Sequence, residues 1–265
     1  MSDTAMTAFA AAIAKHIRPD TFPVAISMVK AGEPLPPRTK RPQQDMGIRV
    51  AICQAVAMAR HQGWAIAVGR DDLSCPLAQV VFGFQPSVDY YEAGHACAGM
   101  YTETPEAGSI TEAEVEKFDY GSYESVLVAP LHRTAFEPQV IAIYGNSAQV
   151  MRLATAALWK SGGRLTSSFA GRIDCSDSII VPLRSGQPEV ILPCYGDRIF
   201  AQTQDHEMAF ALPTSWMSAL VEGLEGTHRG GVRYPIPQFL RYSGQFPPSY
   251  EKLNEFWGDQ READI

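Results

Sequence analysis

Sliding the chain against itself by 100 positions lays Cys75 on Cys175 and Gly63 on Gly163 without a gap. In the same register Val50 meets Val150, Ala57 meets Ala157 and Arg60 meets Lys160, while Val80-Val81-Phe82 meets Ile180-Val181-Pro182. Both stretches read as helix, glycine stop, strand, cysteine, strand. A unit that recurs in this way places equivalent residues near an approximate two-fold axis or at two similar, separate sites. Two strands follow each helix, which favours a mixed or antiparallel sheet covered by helices. The expected fold is therefore α+β, or α/β with a mixed sheet, built from two pseudo-repeated halves at 1–118 and 119–225. An arm at 226–265 completes one compact domain. Upstream, the strand at 23–28 matches 125–131 only with a shifted offset.

The element reading supports this outline. Phe9, Ile13 and Ile17 fall on one face of an N-capped amphipathic helix. Pro23 to Met28 reads as a strand. The loop Glu33 to Pro42 carries four prolines, which remove donors and restrict their neighbours, so it cannot be helical. Ile48 to His61 reads as a helix stopped by Gly63, followed by strands at Trp64–Val68 and Gln79–Phe82 with a Cys75-Pro76 turn between them. Thr111-Glu112-Ala113-Glu114 fits a capping box that opens a short helix. In the second half, Ser125–Leu131 and Gln139–Tyr144 are expected strands, and Gly145-Asn146-Ser147 caps a helix to about Lys160. Further strands are expected near 164–169, 178–183, 188–193 and at Glu207–Leu212, with a helix at Thr214–Leu224. The arm from Gly226 is rich in glycine, proline and aromatics, among them Tyr234, Phe239 and Tyr242. It is too apolar to float free, so it packs on its own domain or on a second copy in a homo-oligomer.

Several function classes are disfavoured by composition. The 265 residues are 46% hydrophobic and 19% charged, as a folded globule is, and the net charge is -7. Neither nucleic acid nor an anionic membrane is an expected partner of such a chain. No apolar run spans a bilayer, and the first residues lack a basic signal-peptide region, so the expected location is the cytoplasm. Five cysteines, an odd number, point to reduced thiols rather than a disulfide framework.

Chemistry is most readily placed on those thiols. Cys53 lies in the first turns of a helix, where the dipole lowers a thiol pKa. Cys75 and Cys175 lie in turns, and Cys194 ends a strand before Tyr195-Gly196-Asp197-Arg198, where glycine lets backbone approach a site. Cys97 lies near His95. None forms a C-x-x-C pair, so any metal site is assembled by the fold. Reduced cysteines are buried small hydrophobes, metal ligands or nucleophiles, and the sequence leaves these open. Arg198 is a candidate clamp for a substrate carboxylate. Asn146 and Ser147, between a strand and a helix, offer N–H groups to an anion or simply cap the helix. Arg38, Lys40 and Arg41 of the proline-rich loop either lie in solvent or reach an anion. Asp205-His206-Glu207 is a solvated turn, or it offers a base or a ligand set. No nucleophile elbow, P-loop or H-E-x-x-H occurs.

Cys53-Gln54-Ala55-Val56 with Ala59-Arg60, then Cys75-Pro76, then Leu192-Pro193-Cys194 with Gly196 and Arg198, resemble the family called domain of unknown function 169. Glu207-Met208-Ala209-Phe210-Ala211-Leu212-Pro213 fits it too. The resemblance runs from about Pro23 to Pro213 and leaves out Cys97 and the arm. It implies no activity, but its cysteine-bearing segments are those by which the family is recognised.

The function expected from these residues is a thiolate-ligated metal or iron–sulfur protein with Cys53, Cys75, Cys175 and Cys194 as ligands. It would carry out redox or metal-assisted chemistry on a small anionic substrate, with zinc as the alternative metal. A non-catalytic small-ligand-binding protein with structural cysteines and a cysteine-nucleophile enzyme are the rival readings. Cys53 faces Leu153 in the repeat, so such a site would be asymmetric.

Overall fold

Alternation along the strands sends successive side chains to two faces, and both faces are covered. In a computed structural model of the chain, which describes residues 3–236 and 244–257, six strands form one antiparallel sheet. They are β1 (Val24–Val29), β2 (Ile66–Gly69), β3 (Ser125–Pro130), β4 (Val140–Asn146), β5 (Glu189–Ile191) and β6 (Glu207–Pro213), in the order β2-β3-β1-β4-β6-β5. Val24, Ile26, Val126, Val128, Val140, Ala142, Ala209 and Ala211 bury on one face. Ala25, Ile141, Ile143, Phe210 and Leu212 bury on the other. Burial on both faces makes these strands read as nearly continuous apolar runs.

Helices are numbered in chain order: α1 (Asp3–His16), α2 (Pro42–Met46), α3 (Ile52–Ala57), α4 (Pro76–Val81), α5 (Asp89–Glu92), α6 (Pro105–Glu114) and α7 (Ser147–Ala157). They continue with α8 (Val181–Ser185), α9 (Tyr195–Phe200), α10 (Met217–Arg229) and α11 (Pro248–Trp257). A wide π-helical turn, Met58–Gln62, extends α3 to the left-handed cap at Gly63. The second face carries α1, α7 and α10, joined by Phe9, Ile13, Ile17, Val150, Leu153, Leu220 and Leu224. The first face carries α3 and α4 with Ile173, Ile179 and Ile180, and Cys75 and Cys175 pack against this core.

The α+β expectation with an antiparallel sheet holds, but the 100-residue register is not the relation that the sheet displays between its two sides. The helices matched by the 100-residue offset, α3 and α7, lie on opposite faces of the sheet. Arg60 is buried whereas its match Lys160 is exposed and pairs with Glu222. The boundary expected at 118/119 falls before β3, yet β3 lies between β2 and β1. Strand order itself reads alike from either edge, 2-3-1 against 5-6-4. By that order the counterpart of Cys75, which precedes the helix after β2, is Cys194, which precedes the helix after β5.

Four local expectations change. Gln79–Phe82 is not a strand: Cys75 is the N-cap of α4 and Pro76 its first residue, where a missing N–H costs nothing. The 178–183 run is helical, as a π-helical turn Ser176–Ile180 followed by α8. Short buried apolar runs carry no period that separates strand from helix. Residues 164–169 form no regular element. The helix expected to open at Thr111 already begins at Pro105, because the Thr104 hydroxyl accepts from the Ala107 N–H at 3.3 Å. Of the arm, 226–229 belong to α10, and Phe239 and Tyr242 lie outside the described residues.

Candidate functional site

Four separate chain segments bring a cysteine to one cavity. Cys53 is the second residue of α3, Cys75 the N-cap of α4, Cys175 the N-cap of the π-helical turn and Cys194 the N-cap of α9. All four border a cavity of about 500 Å³, together with Ala78, Met100, Tyr101, Arg172, Asp174 and Phe200. Every one of the five cysteines is a free thiol. The sulfurs are close enough to act on each other's ionisation: Cys53 feels Cys194 and Cys75, and Cys175 feels Cys75, Cys194 and Cys53.

Burial dominates the electrostatics here. It pushes the Cys53 thiol up, and the charges of Asp197 and Asp174 add to it. Cys175 is raised in the same way, with Asp174 as the next cause. Cys194 is pushed up to about 12 by burial and by Asp174, against the opposing pull of the Asp197 and Asp174 backbone N–H groups. The lowered pKa expected for Cys53 at a helix start is thus reversed, because burial and the neighbouring carboxylates outweigh the helix dipole. Neutral thiols in an apolar cavity are poor nucleophiles. Cations bound among them would reverse the balance and draw off their protons.

A buried polar chain lies behind the sulfurs. Asp174 and Asp197 are hydrogen-bonded to each other, and both carboxyls are raised, first by burial. Ionising both of two such neighbouring buried carboxyls is strongly disfavoured. The Tyr144 hydroxyl donates to Asp197 Oδ2 at 3.3 Å and the Thr203 hydroxyl to Asp197 Oδ1 at 2.9 Å. Arg60 donates through Nη2 to Thr203 at 3.1 Å and grips Glu207 through both Nη atoms, at 2.7 and 3.2 Å. Its guanidinium lies 4.1 Å from the Tyr144 ring centre.

The other residues singled out from sequence stand elsewhere. Arg198 does not border the cavity, and its Nη1 donates to the Gln204 carbonyl at 2.6 Å. Asn146 caps α7: its Oδ1 accepts from the Ala148 and Gln149 N–H groups, both at 3.0 Å, so those two amides are not offered to an anion. Its Nδ2 donates to the Tyr234 hydroxyl at 3.2 Å, tying the start of the arm to the domain, and Ser147 is exposed. Replacing Asn146 with alanine should cost about 1 kcal/mol of stability, read by urea unfolding. Glu207 proves to be the partner of Arg60 rather than a base in a solvated turn. Arg41 pairs with Asp72 at 2.9 Å. Cys97 is buried beside Arg172 and Glu112, outside the four-cysteine cavity.

Sequence reading passed over Asp174, Asp197 and Arg172. Two of them had a visible signal: Asp174 adjoins Cys175, and Asp197 lies inside the Cys194-x-Gly196-x-Arg198 motif.

A family model, DUF169, described as "Uncharacterised ArCR", matches residues 12–223. A curated relative, "Uncharacterized protein MJ0308" of Methanocaldococcus jannaschii, is 31% identical over 121 residues, which is 45% of this chain and 52% of the relative. The chain thus spans about half the length of the curated relative it matches. No solved structure matches the chain.

Proposed function

Since this chain belongs to the DUF169 family, whose description assigns no reaction, we propose a function from its cavity: an iron–sulfur protein whose cluster is held by Cys53, Cys75, Cys175 and Cys194. The observation that carries the reading is the convergence of four free cysteines, each from a different segment, on one cavity. Four cysteine thiolates are the usual complement of a cluster. Amide N–H groups on a ligating sulfur, as at Cys194, are a means of tuning its potential.

Iron–sulfur is favoured over zinc by spacing. A tetrahedral zinc asks for sulfurs about 2.3 Å from the ion, hence ~3.8 Å from one another. Among the described residues no three His, Cys, Asp or Glu side chains are placed to hold a metal ion. A cluster fills its own centre with iron and sulfide and holds its cysteines farther apart than a single ion does. Redox or metal-assisted chemistry on a small anionic substrate is the activity such a centre would support. Five unpaired cysteines suit the reducing cytoplasm. Among the described residues no helix is long and apolar enough to cross a membrane.

Anaerobic purification, with iron, sulfide and zinc measured on the same sample, tests the reading. Iron and sulfide in comparable amounts with visible absorption are expected, and Cys175→Ser should lose most of both. A folded protein that stays colourless and iron-free after reconstitution would overturn the proposal, and zinc without sulfide would replace the cluster with a single ion.

A further inference from the structure

Arg172 is 2% exposed and sits in the wall between two cavities. One is the four-cysteine cavity, and the other, of about 620 Å³, opens between α6, the 166–172 segment and α8. Nη1 of Arg172 donates to Glu112 Oε1 at 2.8 Å and to Cys97 Sγ at 2.5 Å. Its Nε and Nη2 are buried and have no hydrogen-bond partner among the described residues. Buried N–H groups are rarely left unpaired, since the desolvation they suffer goes uncompensated. The Nε–Nη2 side is also the edge with which a guanidinium grips a carboxylate through two parallel bonds. The Tyr101 ring, 5.2 Å from the guanidinium carbon, borders both cavities as well.

The second cavity differs in chemistry from the first. Its walls carry the hydroxyls of Thr111 and Ser168 and the carboxyls of Asp177 and Glu189. Glu112 already balances the charge of Arg172, so a simple anion would add a negative charge to a cavity that holds acids. A ligand with a carboxylate at one end and an ammonium at the other satisfies both ends.

We propose that this second cavity binds a small amino-carboxylate, its carboxylate on the free edge of Arg172 and its ammonium toward Asp177 and Glu189. It deepens the function proposed above by naming a substrate class beside the cysteine cavity, and it rests on that reading only for what the bound molecule undergoes.

Calorimetric titration of the purified chain with serine, 3-aminopropionate and 4-aminobutyrate tests it, with butyrate and butylamine as probes lacking one charge. At least one amino-carboxylate should bind ten-fold or more tighter than both single-charge probes. The Arg172→Met, Glu112→Gln double variant removes the buried pair together, leaving no lone charge, and should weaken that binding at least ten-fold. Asp177→Asn should narrow the gap between the amino-carboxylate and butyrate. Arg172→Lys, which keeps the charge but not the two-pronged edge, is a second readout if the double variant does not fold, and should also weaken binding. No binding by any amino-carboxylate, equal binding by the single-charge probes, or unchanged binding by the Arg172 variants overturns the proposal. Iron measured on the same samples separates the two readings: binding without iron refutes the cluster alone, and iron without binding refutes this site alone.

Discussion

Gly223→Ala should destabilise the protein by about 3 kcal/mol or more, at the upper end of what an added methyl costs in a packed core. Gly223 is where α10 crosses α7, and a Cβ there would stand 1.9 Å from the Ala156 carbonyl oxygen and 2.7 Å from its carbon. Those atoms belong to the backbone of α7, whose Ala156 is fully buried, so no side chain can swing aside. The helices must separate, which opens the core formed by Leu153, Leu220 and Leu224 against the sheet. Alanine's better helix propensity returns only about 1 kcal/mol. Gly230→Ala is the contrast: its φ is -72° and the nearest atom to an added Cβ is 3.5 Å away. That change should be neutral or stabilise by up to about 1 kcal/mol. Urea unfolding of the two variants checks both, and equal stability would mean that α7 and α10 do not cross as described.

This contact was not legible in the sequence, and the reason shows which features were. Phe9, Ile13 and Ile17 repeat at helical spacing and proved to be the buried face of α1. Of Gly145-Asn146-Ser147, expected to cap a helix, Asn146 is the N-cap of α7, in a capping box that Gln149 completes. Gly63 ends its helix in the left-handed conformation, as a glycine stop does. All three are local signals. Helix-to-sheet assignment is not local: Val80-Val81-Phe82 and Ile179-Ile180-Val181 are apolar in either structure, and so short a run shows no period. Nor did the repeat give the topology. The 100-residue register aligned Cys75 with Cys175, and both do N-cap a helical segment at the cavity. Yet α3 and α7, the helices that precede them in that register, cover opposite faces, a choice made by which apolar stripe meets which strand face. The four cysteines were singled out as a repeat-matched pair plus two at element ends, and all four border one cavity. Arg172 escaped because nothing in a single arginine beside Ile173 tells that two of its N–H sites will be buried unpaired.

Arg60→Met is expected to cost about 3–5 kcal/mol, the range for breaking a buried ion pair from one side. Arg60 is 1% exposed and Glu207 8%, so water cannot take over the carboxylate that the substitution strands. The guanidinium makes two bonds to Glu207, one to Thr203, and stacks on Tyr144, while Thr203 and Tyr144 both hold Asp197. Losing it therefore loosens the support behind Cys194 as well as the junction of α3 with β6. Lysine at this position keeps the charge but not the fork or the stacking, so Arg60→Lys should recover only part of the loss. Adding Glu207→Gln to Arg60→Met removes the stranded charge, and the double variant should be more stable than Arg60→Met alone. Such non-additivity, measured by urea unfolding of all the variants, separates a charge pair from simple packing. If Arg60→Met and the double variant are equally unstable, the loss comes from the cavity left by the side chain rather than from an uncompensated Glu207.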